Sequence, residues 1–380
     1  MASRSVFSVR FDLIAKDQLA PYDLFVNSSS VEKKQKFVRI FPKGEELTSS
    51  DLNEYKEKYK QLYVAEDQRD LYMKSLVQSD AVSDIEAASF IKDSAIQYLH
   101  QVFDPEKEFS TELLYDTIKG CKDVVENMID VLDDYDIDGL KALIGDLSGH
   151  DFYTYDHSIN VAMYCITIMR TLKSDASKIE LTHAGLGGLL HDLGKIKIPT
   201  HILNKPDGLS DEEFKTIKTH PDLGIDLLQE NDSVIEFEDL DLKTIGRVIH
   251  EHHENWDGTG YPGKKAGKDI HLLARICAIA DFFDAITTKR AYSEVVTISQ
   301  ALEIMKKTVG KKIDPKIFNL FYSHVAKVNP KNVKQLRISD DFDPCMPHSV
   351  LPIEEIKEMF SGDDFGKIRF LDEKEAKKKK

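Results

Sequence analysis

Nowhere does this 380-residue sequence carry an uncharged apolar run approaching the ~18 residues that a membrane-spanning helix needs. Its opening, MASRSVFSVRFDLIAK, has no apolar stretch of the length an export signal uses. A cytoplasmic protein with no membrane partner is expected. Cysteine is scarce: Cys121, Cys165, Cys277 and Cys345 are widely scattered, form no CxxC pair, and read as reduced thiols, two of them inside apolar helical stretches. There is no surplus of basic charge either. With 51 Lys and Arg against 66 Asp and Glu, the formal net charge is -15, which argues against broad DNA, RNA or anionic-membrane binding. An anionic nucleotide remains compatible with that charge, because divalent metals reverse the local field. Internal repeats and low-complexity linkers are also missing.

What is present suffices for real cores: 41% of residues are hydrophobic, and the length fits two domains plus extensions. Phe7, Val9, Phe11 and Leu13 alternate with polar residues, as do Tyr22, Leu24 and Val26, and 36–41 is another β-rich run, so a small sheet is expected. Ser49 and Ser50 then precede Leu52, Tyr55, Tyr59 and Leu62 at helical spacing, predicting a capped helix. Residues 1–75 are thus read as an α+β module of sensory or regulatory role, too short for a five-unit receiver domain. From about Asp80 onward the pattern is helical, with 76–108 as a helical linker and an all-helical domain following. Beyond 329 come four prolines, a short helical pattern over 353–360 and a basic tail, Lys377 to Lys380, read as solvated.

The chemistry lies between His157 and Asp281. In order come His157, the pair His191 and Asp192, His220, the pair His252 and His253, and Asp281, with Lys195 one turn past the first pair. Imidazoles and carboxylates without thiolate suit iron, manganese or zinc. Seven such side chains are too many for one ion and point to at least two metals sharing a carboxylate, an arrangement that hydrolyses phosphoesters. Each residue also has a plainer reading. His157 on an apolar helix face resembles an ordinary core histidine, His220 before Pro221 resembles a surface helix cap, and Lys195 an exposed lysine. Asp281, in an otherwise apolar helix, needs a partner, as does the buried His191–Asp192 pair, whose side chains diverge by about 100° and so can serve two ions. His250 is read as packing rather than ligating.

The stretches LLHDLGKIKIP (189–199), THPDLG (219–224), HHENWDGTGYPG (252–263) and IADFFDAITTKRAY (279–292) together resemble the HD-GYP family of HD hydrolases over roughly Phe109 to Asn329. The resemblance implies an all-helical fold and hydrolysis of cyclic di-GMP to linear pGpG, and on to GMP, by a hydroxide bridging two metals. Iron is expected first, with manganese and zinc as alternatives. It further implies one metal on His157, His191, Asp192 and Asp281, and another on Asp192, His220, His252 and His253. Asp192 and Lys195 would be catalytic, Asp284 supporting, and Lys195, Tyr261 and Arg290 would contact substrate. A signalling protein docking on the loop around Gly260 to Pro262 is a further expected partner.

Two departures qualify that match. The Glu that many members place one turn before the first His is Tyr153 here, so two metals are expected rather than three. The basic residue that follows RPY in the family is Ser293, within Arg290-Ala291-Tyr292-Ser293. Losing that base opens the alternative of a weakly active or inactive cyclic di-GMP receptor or adaptor, and a mononucleotide phosphohydrolase is a third, less favoured reading.

Overall fold

A computed structural model describes residues 5–14, 16–29, 36–79, 82–104, 107–134, 139, 153–203, 205, 209–231, 237–287, 296–325, 336–338 and 353–355. The chain begins with a twisted antiparallel sheet in the order β1 (Val6–Val9), β6 (Leu62–Ala65), β3 (Leu24–Asn27), β4 (Phe37–Phe41). Phe7 pairs with Val64, Phe25 with Tyr63 and Val26 with Val38. A ribbon of β2 (Gln18–Leu19) and β5 (Glu46–Leu47) and the helix α1 (Ser49–Lys58) complete the module. Period-2 alternation puts Val9, Leu24, Val26, Leu62 and Val64 on one buried face. Arg69 lies buried beneath it, 3.9 Å from the centre of the Phe7 ring and paired with Glu66.

Three local expectations need correcting. The alternation that runs to Leu13 ends as strand at Val9, and Phe11–Leu13 is a 3-10 turn whose Leu13 still reaches the core. The first helix is capped by Thr48, whose side chain and that of Asp51 satisfy each other's backbone N–H groups, and it stops at Lys58, leaving Leu62 to the strand β6. The helical pattern over 353–360 is also overridden. There β8 (Ile353–Glu355) pairs antiparallel with β7 (Leu336–Ile338), setting Ile353 opposite Ile338, so backbone pairing between strands wins over weak local helix preference at 353–355. Residues 356–360 and the terminal lysines lie outside the described residues.

From α2 (Arg69–Val77) onward the architecture is helical. Ser83, Ser177, Ser210 and Thr297 each open a helix with a reciprocal capping box, closed three residues later by Glu86, Glu180, Glu213 and Gln300. The long helices α3 (Asp84–Phe103) and α4 (Thr111–Val131) pack on each other and carry the core from the sheet to the central pair α5 (Tyr153–Leu172) and α6 (Lys178–Leu190). Buried apolar residues from Phe7 to Phe321 form one contiguous cluster, with a small satellite of Ile198, Ile202 and Ile217. The helix α11 (Leu272–Thr287) runs through the middle of it and is apolar on nearly every side. Lys92 of α3 pairs at 3.0 Å with Asp156 of α5, one residue before His157. Cys121, Cys165 and Cys277 are buried free thiols; Cys345 lies outside the described residues. Among the described residues no helix is long and apolar enough to cross a membrane.

Candidate metal centre

Four backbone segments bring the polar side chains together. His157 sits in the second turn of α5, and α6 ends at Leu190, so His191 caps it and Asp192 begins the 3-10 turn over 193–197. After α7 (Thr200–Leu203) and α8 (Asp211–Ile217), His220 begins α9 (His220–Gln229); far from a surface cap, it is fully buried. The helix α10 (Leu242–Glu251) ends immediately before His252 and His253, and Asp281 faces the cluster from α11. Contact between the 193–197 turn and α9 depends on Gly194. A Cβ there would stand 1.9 Å from the His220 carbonyl oxygen and 2.5 Å from the Gly224 nitrogen, so only glycine lets Asp192 and His220 approach.

Three of the imidazoles are oriented in one way. Nδ1 of His191, His220 and His252 donates to the carbonyl three residues earlier, on Gly188, Ile217 and Ile249, at 2.7, 2.9 and 2.8 Å. Carbonyls only accept, so Nδ1 carries the hydrogen and each Nε2 presents a lone pair. The Nε2 atoms of His220 and His252 approach to 3.2 Å, and Asp192 Oδ1 lies 3.3 Å from the former, buried and receiving no hydrogen bond. Acceptors converging this closely in a dry site repel one another unless a proton or cation lies among them.

Protons are disfavoured there. Burial drives His220 down to about 4 against the pull of Asp192, and burial with neighbouring imidazoles drives His252 and His253 well below the usual histidine range. Asp192 is held well below the ordinary carboxylate range by His191 and Lys195, although burial works the other way. The donor set therefore fits divalent cations. Coordinating atoms of Asp192, His220, His252 and His253 lie within 4.8 Å of one another, as do those of His157, His191 and Asp192. The two groups share Asp192.

His157 is held differently. Its Nε2 is 3.2 Å from Asp281 Oδ1, and its Nδ1 is 2.7 Å from Asp284 Oδ2. Asn160, one turn on, donates to the other Asp284 oxygen at 3.0 Å. This is the carboxylate–imidazole arrangement that fixes ring orientation in metal sites. Asn160 drew no attention in the sequence, although its i+3 relation to His157 on one helix face was available there. Replacing Asp284 by Asn is expected to weaken metal retention roughly 10- to 100-fold with little change in fold, read by competition with a graded chelator; parental retention would remove Asp284 as a positioning residue.

Metal-free protein should also show a defined pH response. Burial lowers His157, but the hydrogen bonds to Asp281 and Asp284 outweigh it and raise it to about 10. Its stabilising proton is fully present below the unfolded value of ~6.5 and is lost as pH rises toward about 10. His220 has the opposite sign: between ~6.5 and about 4 the unfolded chain takes a proton that the folded chain refuses, so stability falls with falling pH. Thermal melts of the metal-stripped protein are expected to peak near neutrality and decline on both sides. A profile flat across this range would contradict the buried imidazole geometry.

The remaining candidates fall in three places. Lys195 donates to Asp192 Oδ2 at 2.6 Å and is mostly buried, rather than an exposed lysine. Tyr261 stacks on His253 with ring centres 4.8 Å apart, and its backbone N–H donates to the His253 carbonyl. At Gly260 a Cβ would meet the Asn255 nitrogen at 2.2 Å, so this loop folds back on itself only with glycine. Arg290 and Ser293 lie outside the described residues, and His250 pairs with Asp222 at 3.0 Å, away from the cluster.

A cleft of about 390 Å³ opens over His252, His253 and Asp281. Its lining also includes Tyr261 and four lysines, 218, 307, 311 and 312, which sequence reasoning passed over because isolated lysines on polar helix ends resemble ordinary solvated charge.

Comparison with known proteins agrees with this architecture. The HD domain family matches residues 143–317. Among solved structures, an HDG"Y"P protein from Bdellovibrio bacteriovorus superposes with a TM-score of 0.51, covering 84% of this chain and 99% of that one at 21% identity, a likeness of fold. A cyclic di-GMP phosphodiesterase of Pseudomonas aeruginosa is 37% identical over 184 residues, 47% of this chain and 41% of that protein. Residues 143–317 are an HD domain, and the fold is that of the HDG"Y"P protein. The relatives also include a 3'3'-cGAMP-specific phosphodiesterase of Vibrio cholerae, 38% identical over 44% of this chain and 34% of its own length. The chain thus spans about two-fifths or less of the length of these curated relatives.

Proposed function

We propose that this chain is a metal-dependent phosphodiesterase that opens cyclic di-GMP to linear pGpG, with GMP as the product of a second cleavage. The observation that carries this proposal is the sharing of buried Asp192 between two groups of metal-capable side chains. His157, His191, Asp192 and Asp281 would hold one divalent ion, and Asp192, His220, His252 and His253 the other, with iron expected and manganese or zinc as alternatives. Such ions, when bound, make water nucleophilic near neutral pH and neutralise phosphate charge.

The chain's own side chains supply orientation. Gly188, Ile217 and Ile249 carbonyls aim three Nε2 atoms inward, and Asp284 with Asn160 aims the fourth imidazole. Lys195 steadies Asp192 and stands beside the reacting phosphate as a cation. Tyr261 covers the His253 side, and Arg290 is assigned as the phosphate clamp because a guanidinium binds phosphate oxygens in pairs. Water attacks phosphorus, the bond to the ribose 3'-oxygen breaks, and that oxygen takes up a proton. The names of the Pseudomonas and Vibrio relatives favour a cyclic dinucleotide over a mononucleotide.

Anaerobic purification with iron or manganese, metal content per chain, and chromatography of cyclic di-GMP and 3'3'-cGAMP incubated with the same sample test the proposal. Two metals and a pGpG peak are expected. Two metals with cyclic di-GMP bound but intact would overturn the enzyme in favour of a receptor, for which Ser293 in place of a basic residue already speaks.

A further inference from the structure

We propose that Lys307, Lys311 and Lys312, together with Lys218 beside Tyr261, form an anion subsite for the phosphate that is not being cleaved. This rests on the cyclic-dinucleotide reading above and adds to it a second place where the substrate is held. A cyclic dinucleotide carries two phosphodiesters. With one of them held at the cluster beneath the cleft, the other would need its own counter-charge.

Three observations converge on these lysines. First, all four line the same cleft as His252, His253 and Asp281, and its volume of about 390 Å³ lies within the usual range for small-molecule sites. In a chain of net charge -15, four lysines around one opening are a local reversal of sign.

Second, the acidic side chains on the same lining are already engaged. Glu254 accepts from the backbone N–H groups of Gly263 at 2.6 Å and Lys265 at 3.0 Å, Asp257 accepts from Thr259, and Asp281 faces His157. They hold the loop and the centre together.

Third, the lysines are mounted on a fixed support. Lys307 follows the last residue of α12 (Ile298–Lys306), and the chain then makes a tight turn: Lys311 and Lys312 N–H groups donate to the Thr308 carbonyl at 3.1 and 2.9 Å, and Gly310 N–H donates to Ile313. Gly310 has φ +81°, a conformation that suits glycine. The turn is tied to the loop that follows the paired histidines, because Trp256 and Asp257 N–H groups donate to the Lys312 and Lys311 carbonyls at 3.0 and 2.9 Å. Lys218 is placed by the faces of Tyr261, 4.9 Å from its Nζ, and Phe214, at 4.3 Å. Cations at set positions relative to His253 select a ligand whose second phosphate lies at a set distance from the first. A backbone already held in place limits the ordering cost of binding to the side chains themselves.

The test compares two ligands on metal-loaded full-length protein by calorimetry. Linear pGpG offers one terminal phosphate and one internal phosphodiester, whereas GMP offers a single phosphate. In the triple variant Lys307→Ala/Lys311→Ala/Lys312→Ala, pGpG binding is expected to weaken roughly 10- to 30-fold, as loss of charge-assisted contacts implies, while GMP changes less than about twofold. The corresponding triple Arg variant should stay within about threefold of the parent. Thermal melts establish that each variant folds, which Lys307 and Lys311 favour by being exposed.

Equal weakening of both ligands would reduce the lysines to a general field and overturn the subsite, as would pGpG binding at parental strength. Turnover of cyclic di-GMP by the parent is scored separately. A parent that binds pGpG in a lysine-dependent way but cleaves nothing sinks the enzyme proposal and leaves the subsite standing. A parent that cleaves with no lysine dependence does the reverse.

Discussion

Replacing Asp192 by Ala is expected to abolish the proposed cyclic di-GMP hydrolysis and to lower the metal content, two ions per chain on that proposal, to at most one. Asp192 is the side chain that both candidate ligand groups contain, and its Oδ1 is buried without a hydrogen bond while its Oδ2 meets Lys195 at 2.6 Å. Without it, His220, His252 and His253 lose the one carboxylate of their group, and the imidazoles alone hold a cation less firmly. Several kcal/mol of charge stabilisation in the transition state would disappear, which at 1.36 kcal/mol per decade is a loss of ~10³-fold or more in kcat. Chromatographic turnover and metal analysis on the same preparation measure both effects, and circular dichroism guards against simple unfolding. Hydrolysis at the parental rate would end the shared-carboxylate mechanism.

Gly194→Ala should be nearly as damaging, although it changes no polar group. The added methyl would stand 1.9 Å from the His220 carbonyl oxygen and 2.5 Å from the Gly224 nitrogen, both backbone atoms that cannot swing aside. Overpacking costs up to ~3 kcal/mol, and more where backbone must move, so a fall of roughly 4 °C or more in melting temperature is expected for a chain of this length. The function suffers further, because the displaced segment carries His220 away from Asp192. A variant that melts with the parent and retains both metals would show that the two segments can separate without harm to the site.

Much of the polar centre was readable from residue type and order. Adjacent pairs such as His191–Asp192 and His252–His253 at the ends of apolar helices are expensive to bury without partners, which is why they stand out in a single sequence. Helix starts were equally open, since Ser or Thr followed by Glu, Gln or Asp three residues on marks a reciprocal cap wherever it begins a helix. What stayed hidden depends on contacts between distant segments. Asn160 supports the centre only because α11 crosses α5 and brings Asp284 to it. The lysines of the 307–312 turn join the cleft only through backbone hydrogen bonds to Trp256 and Asp257. At Ile353 local helix periodicity lost to pairing with Ile338, a partner that periodicity cannot see.

The helices α6 and α10 both stop at the cluster, with Leu190 and Glu251 as their last residues and His191 and His252 next in line. Each helix end carries about half a negative charge from its aligned peptide dipoles. Two such ends meeting beside Asp192 and Asp281 give that side of the centre a negative potential that no change of pH can titrate away, because the charge belongs to the backbone. The lysines lie around the opening of the cleft and the carbonyl ends at its floor, so the backbone favours a cation below and the side chains an anion above.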